Sequence, residues 1–90
     1  MEKYLVLMKL HPAKTMEFWG PFEKLKAEPM KGVKLIASYS VFGKWDIAIW
    51  FEADSNDMAI HFVGDKLRGI EGILETRTTP MALIMEYGKK

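Results

Sequence analysis

The sequence predicts an α+β fold with its elements in the order β-α-β-β-α-β. Four short segments dense in aliphatic and aromatic residues are bounded by Gly, Pro or Asp, as strands are. Two intervening stretches space their apolar residues three and four apart, as amphipathic helices do. Only Gly43-Lys44 separates the second strand from the third, which makes that pair a hairpin. At 90 residues, 49% hydrophobic and 28% charged, the chain can hold one core, so residues 1–90 are expected to form a single domain. The order is that of the ferredoxin-like, or split βαβ, arrangement: a four-stranded antiparallel sheet with two helices on one face.

Strand 1 is expected over residues 3–11, KYLVLMKLH, and stops at His11-Pro12 because proline pushes its predecessor toward extended geometry. From Ala13 to Glu28 the pattern is helical, with Met16, Trp19, Leu25, Phe18 and Phe22 along one broad side. Gly20-Pro21 lies inside it and predicts a kink or a restart with Pro21 in a first turn. Strand 2 spans residues 32–42, with Val33, Leu35, Ala37, Tyr39 and Val41 alternating onto one face. Gly43 supplies the positive φ that a type II′ turn needs, and strand 3 follows from Trp45 to Ala53. Asp54 or Ser55 is the N-cap of a second helix whose stripe is Ala59, Ile60, Val63, Leu67 and Ile70, ended by Gly69. Strand 4 starts near Ile73 and runs through ILETRTTPMALIM; Pro80 within it predicts a bulge or an edge position.

Strand 3 poses a question that one layer of helices does not answer. Helices can cover Ile47, Ile49 and Phe51, but the other face carries Ala48 and Trp50, and both alternating sets of strand 1 are largely apolar. A sheet with that much apolar surface facing water is unusual for a monomer. The expected cover is a second copy stacked sheet to sheet about a two-fold axis, a homodimer that can extend to a larger ring.

Composition excludes several classes of function. Thirteen Lys and Arg against twelve Asp and Glu, scattered along the chain, give a net charge of +1 and no basic stripe for a phosphate backbone, so direct nucleic-acid binding is not expected. With no cysteine there is no disulfide, thiolate metal site or thiol nucleophile, and a cytoplasmic setting fits. Neither a membrane span nor an export signal is expected, and no cofactor motif is found. Abundant Lys and Glu with no Gln point to a heat-loving source.

The segment from Val41 to Thr79 holds an ordered set of features: Gly43-x-x-Asp46, an apolar strand 3, Phe62-Val63, Leu67, Ile70-x-Gly72-Ile73 and Thr76-Arg77-Thr78. In this set it resembles the C-terminal effector-binding domain of the Lrp/AsnC family of transcription regulators, also called the RAM domain. The resemblance implies a dimeric α+β barrel that often assembles into tetramers or octamers and binds a small effector, typically a free amino acid. It places the effector at a dimer-dimer junction, on the G-x-x-D hairpin and the strand 4 threonines, which here are Gly43, Asp46, Thr76 and Thr78. Asp46 suits an α-ammonium, while backbone N–H groups near Gly43 and threonine hydroxyls suit a carboxylate.

Family regulators carry an N-terminal helix-turn-helix, whereas this sheet starts at Lys3. The expectation is a stand-alone effector domain acting in transcriptional regulation through oligomer assembly, with a full-length Lrp/AsnC-type regulator as a further partner. Pro80 falls where the family continues a regular strand. The opening KYLVL together with VFGKWD is also similar to GYD-type small domains of the same superfamily.

Each of these residues also has a plainer reading. Asp46 can be a hairpin-end charge, Thr76 and Thr78 ordinary strand formers, and Gly43 turn chemistry alone. Asp57, His61 and Asp65 recur every four residues, which fits a solvated helix face with i,i+4 pairs better than a metal site. The alternative function is a small dimeric-barrel enzyme, monooxygenase- or isomerase-like. It would use His11, with Glu17 and Glu52 near it, on an apolar substrate in a cleft of Trp19, Trp50 and Tyr39. No catalytic pair is fixed by the sequence, so no catalytic residue is assigned.

Overall fold

The computed structural model describes residues 1–88; the two lysines that close the expected 1–90 domain lie outside the described residues. Strand β1 (Glu2–Leu10) runs through the middle of an antiparallel sheet, with β3 (Ile47–Ala53) on one side and β4 (Ile73–Met81) on the other. β2 (Val33–Ser40) pairs with β3, so the order is β2-β3-β1-β4. A 3-10 turn (Pro12–Lys14) leads into α1 (Thr15–Glu23), and α2 (Asn56–His61) continues into a π-helical turn (Phe62–Leu67). This is the expected four-stranded ferredoxin-like arrangement, with both helices on one face.

Alternation along β1 decides which face is dry. Tyr4, Val6, Met8 and Leu10 are buried under the helices, and the residues between them are only half-buried. In β3 the helix-facing set is Ile47, Ile49 and Phe51, as the sequence implied, together with Ala53. From α1 the fully buried side chain is Phe18, while Met16 and Trp19, placed on the same apolar side from sequence, are exposed. α2 and its continuation bury Ala59, Phe62, Val63 and Leu67. Phe62 stacks edge-on to Phe51 at 5.0 Å, and Phe51 stacks on Tyr4 at 5.3 Å, so one aromatic column ties helix to sheet.

Several boundaries differ from expectation for identifiable reasons. α1 ends at Glu23 rather than Glu28, and Pro21 lies in its last turn without a restart. The chain leaves the helix early because its carbonyls are needed elsewhere: the Leu35 amide donates to the Ala27 carbonyl at 2.7 Å, joining this segment to β2. β2 changes face midway. A register shift between Leu35 and Ala37 sets Leu35 opposite Phe51 but Ala37 and Tyr39 opposite Trp50 and Ala48, on the open side. The single alternating face expected for Val33 through Val41 is therefore split in two.

The β2–β3 connection is wider than a two-residue turn, spanning residues 41–46 and closed by the Val41 amide on the Asp46 carbonyl at 3.1 Å. Gly43 has the positive φ expected of it, 97°, but β3 starts only at Ile47. Ser55 is the N-cap of α2, its Oγ accepting from the Met58 amide at 3.2 Å. Ile60 is exposed, while Phe62, three residues after buried Ala59, faces the core; beyond it the helix widens, and the Arg68 amide donates to the Val63 carbonyl, five residues back, at 2.9 Å. With that wider winding Leu67, five residues after Phe62, faces the same core. Pro80 stands in β4, an edge strand, where its missing N–H removes no ladder bond from a second neighbour. Residues 82–87 lie beyond the strand.

The C-terminal end of β1 is held from both sides. The Leu10 amide donates to Asp46 Oδ2 at 2.8 Å, and the His11 amide donates to the Gly72 carbonyl at 2.7 Å. Gly72 has φ 100°, and a Cβ there would lie 2.6 Å from the Lys14 carbonyl oxygen and 3.0 Å from Phe18 Cβ. Gly72→Ala is therefore expected to destabilise the fold by about 2 kcal/mol or more, read as a lower urea midpoint at unchanged slope. Asp46→Ala strands the Leu10 N–H and is expected to cost about 1–3 kcal/mol, whereas Asp46→Asn, which keeps an acceptor oxygen, costs less than half of that in the same measurement.

Candidate functional site

A groove of about 330 Å³ opens between α2 with its π-helical turn and the edge strand β4. The two-residue period of β4 puts Thr76, Thr78 and Pro80 on the helix side, opposite Met8, Val6 and Tyr4 of β1. All three line the groove. The facing wall comes from Asn56, Ala59, Ile60, Val63, Gly64 and Arg68. At its floor the Tyr4 hydroxyl donates to Asn56 Oδ1 at 3.3 Å. Thr76 is half-buried, while Thr78 and Arg68 are exposed. The walls are mostly apolar with a few convergent polar groups, the usual composition of a small-molecule site.

Gly43 and Asp46 lie elsewhere. Asp46 borders a second hollow, of about 500 Å³, shared with Lys9, Thr15, Trp19 and Phe42. One of its carboxylate oxygens accepts the Leu10 amide, and its own amide donates to the Met8 carbonyl at 2.9 Å. Gly43 stands at the tip of the 41–46 loop, with nothing within 4 Å of where a Cβ would be. Within one chain the four candidate residues thus form two pairs, on opposite sides of β1: Asp46 on the β3 side, Thr76 and Thr78 on the β4 side.

The remaining candidates separate further. Trp19 lies on the helix side of the sheet, against Phe18 and Phe22, whereas Tyr39 and Trp50 share a small apolar hollow on the open face with Leu5 and Met81. The expected cleft of Trp19, Trp50 and Tyr39 therefore does not form. His11 is occupied as a cap, its Nδ1 accepting from the Ala13 amide at 3.2 Å. Glu52, opposite Lys3, is at the far end of β1 from His11. Between the end of α2 and its π-helical turn, His61 Nδ1 and Asp65 Oδ2 are 3.3 Å apart on an exposed face.

Arg68, Tyr4 and Asn56 were not singled out from sequence. Arg68 reaches the groove because the helix widens before it, and no sequence pattern announces a π-helical turn. Tyr4 and Asn56 are 52 positions apart, and only the β1–β3 pairing brings them together.

No family model and no curated protein matches the sequence. Solved structures do match. FFRP-DM1 is 26% identical with a TM-score of 0.69, covering 91% of this chain and 100% of its own. AsnC of E. coli is 23% identical with a TM-score of 0.71, covering 94% of this chain and 54% of its own. The transcriptional regulator NMB0573 of Neisseria meningitidis, solved as a complex with L-Met, is 12% identical with a TM-score of 0.70, covering 99% of this chain and 53% of its own. The chain thus spans about half the length of AsnC and NMB0573 and the whole of FFRP-DM1. A transcriptional regulator thus stands among these neighbours. The protein has the fold of the Lrp/AsnC effector-binding domain, the family its sequence resembles from Val41 to Thr79.

Proposed function

We propose that the protein is an effector-binding domain of transcriptional regulation, a homodimer through its open sheet face that assembles further when it binds a small molecule such as an amino acid. The observation that carries this reading is the division of the candidate residues. Asp46 offers an anion for an ammonium group on one side of β1, and Thr76 and Thr78 offer hydroxyls on the other. A small zwitterion that uses both sets has to sit where two copies meet. Ligand binding is then linked to assembly, because the ligand favours whichever oligomer completes its site.

The open face supports the dimer. Leu5, Leu7, Ala48, Trp50, Tyr39 and Met81 form an apolar surface on the side without helices. Trp50 Nε1 is buried there without a hydrogen-bond partner among the described residues. Such a donor costs about 1–3 kcal/mol unless an acceptor reaches it, and a second copy over this face can bring one. A full-length regulator of the same family, using the same surface, is a further partner on this reading.

Two experiments test it. Sedimentation at micromolar concentration is expected to give a dimer for the natural chain and a monomer for Leu5→Glu, whose charge would be buried in the interface; a natural chain that sediments as a monomer defeats the dimer. A thermal-shift screen of the twenty amino acids, with light scattering on each hit, is expected to find one that raises both melting temperature and assembled mass. A hit that stabilises without changing the mass argues against assembly as the mechanism.

A further inference from the structure

The groove between α2 and β4 carries a single charge. Among the described residues that line it, only Arg68 is ionised and none is a carboxylate. The Arg68 side chain has no ion pair and no hydrogen bond among the described residues. A guanidinium keeps its charge at every physiological pH and presents a fork of donors that matches a carboxylate. Ala59, Ile60, Val63 and Pro80 give the walls an apolar character. Gly64 adds no side chain, and the position of its missing Cβ has nothing within 4 Å, so that turn of the helix leaves the groove open. An ammonium group placed here would meet a like charge and no anion. Its desolvation would go uncompensated.

We infer that this groove binds a small carboxylate with an apolar body and no ammonium group, of the 2-oxo acid class. Arg68 clamps the carboxylate, and the Thr76 and Thr78 hydroxyls donate to the adjacent oxo oxygen. The apolar body lies against Ile60, Val63 and Pro80. The π-helical turn sets this geometry, because its wider winding puts Val63 and Gly64 on the groove wall with Arg68 at its end. The site rests on the effector reading only in using Thr76 and Thr78. It needs neither Asp46 nor a second copy.

The test is calorimetric titration of the full chain with 4-methyl-2-oxopentanoate and, separately, with leucine, which has the same carbon skeleton but an ammonium in place of the oxo group. The oxo acid is expected to bind at least tenfold more tightly than leucine. Arg68→Gln is expected to weaken it at least tenfold, the usual worth of a charge-assisted bond to a carboxylate. Gly64→Leu, which puts a side chain into the groove and keeps the Arg68 charge, is expected to weaken it as much without lowering the melting temperature. Leucine binding as tightly as the oxo acid, or Arg68→Gln leaving the affinity unchanged, overturns the inference while leaving the effector reading intact. No binding of the oxo acid overturns it as well, and if the amino-acid screen is also silent the effector reading falls with it.

Discussion

One layer of helices can dry only one face of a sheet, and most of what is distinctive in this protein follows from that geometric fact. The helix side is filled by Tyr4, Val6 and Met8 of β1 and Ile49 and Phe51 of β3, packed on Phe18, Phe62 and Leu67. The other side is also apolar at its centre, where Leu5, Leu7, Ala48 and Trp50 lie, and it is rimmed by charge at Lys3, Lys9, Glu52 and Arg77. Lys3 Nζ reaches to 6.0 Å from the Trp50 ring, at the limit of a cation–π contact. An apolar centre inside a polar rim is the anatomy that the proposed dimer would use. The register shift in β2 enlarges it, since without the shift Tyr39 would not stand opposite Ala48 on this face.

The same sheet depends on how the end of β1 is held. Just where the β1–β4 register shifts, between Lys9 and Leu10, the strand loses regular partners. Asp46 from one neighbour and Gly72 from the other supply them. Buried or part-buried backbone groups have to be satisfied, so this end cannot fray without stranding donors. The consequence reaches the groove: Gly72 directly precedes β4, so fixing it also fixes the strand that presents Thr76 and Thr78 to α2. Asp46 thus has a structural task within one chain, and any ligand contact it makes uses what that task leaves free.

The features that were legible in the sequence are those with a local cause. The period-2 alternation of β1 and β3, the Ser55 cap, the positive φ of Gly43 and the edge position forced by Pro80 each follow from residues within a few positions of one another. What was not legible has a long-range cause. The early end of α1 depends on Leu35 bonding to Ala27, the face change in β2 on its register with β3, and the wide turn before Arg68 on a core that draws in both Phe62 and Leu67. The candidate site divides in the same way. Thr76 and Thr78 are marked by a motif, whereas Arg68 becomes a groove residue only through the winding of the helix before it.

An amino acid and its 2-oxo acid differ at one carbon, and the two proposed sites offer different partners for the two versions of it. The carboxylate and the apolar body of either compound find matching groups in the groove of one chain: Arg68, the two threonines and the walls of Ile60 and Val63. The ammonium of the amino acid does not, since no carboxylate among the described residues lines the groove, and the candidate anion, Asp46, is beyond β1 in the same chain. On these assignments a 2-oxo acid is satisfied by a single copy, while an amino acid is satisfied only where a second copy brings its own Asp46 to the groove. Only the amino acid then has a reason to draw copies together, because a ligand shifts an equilibrium by no more than its difference in affinity for the two states. The two compounds would compete for Thr76 and Thr78 with opposite effects on assembly, so the oligomer would respond to the ratio of the pair rather than to the level of either one.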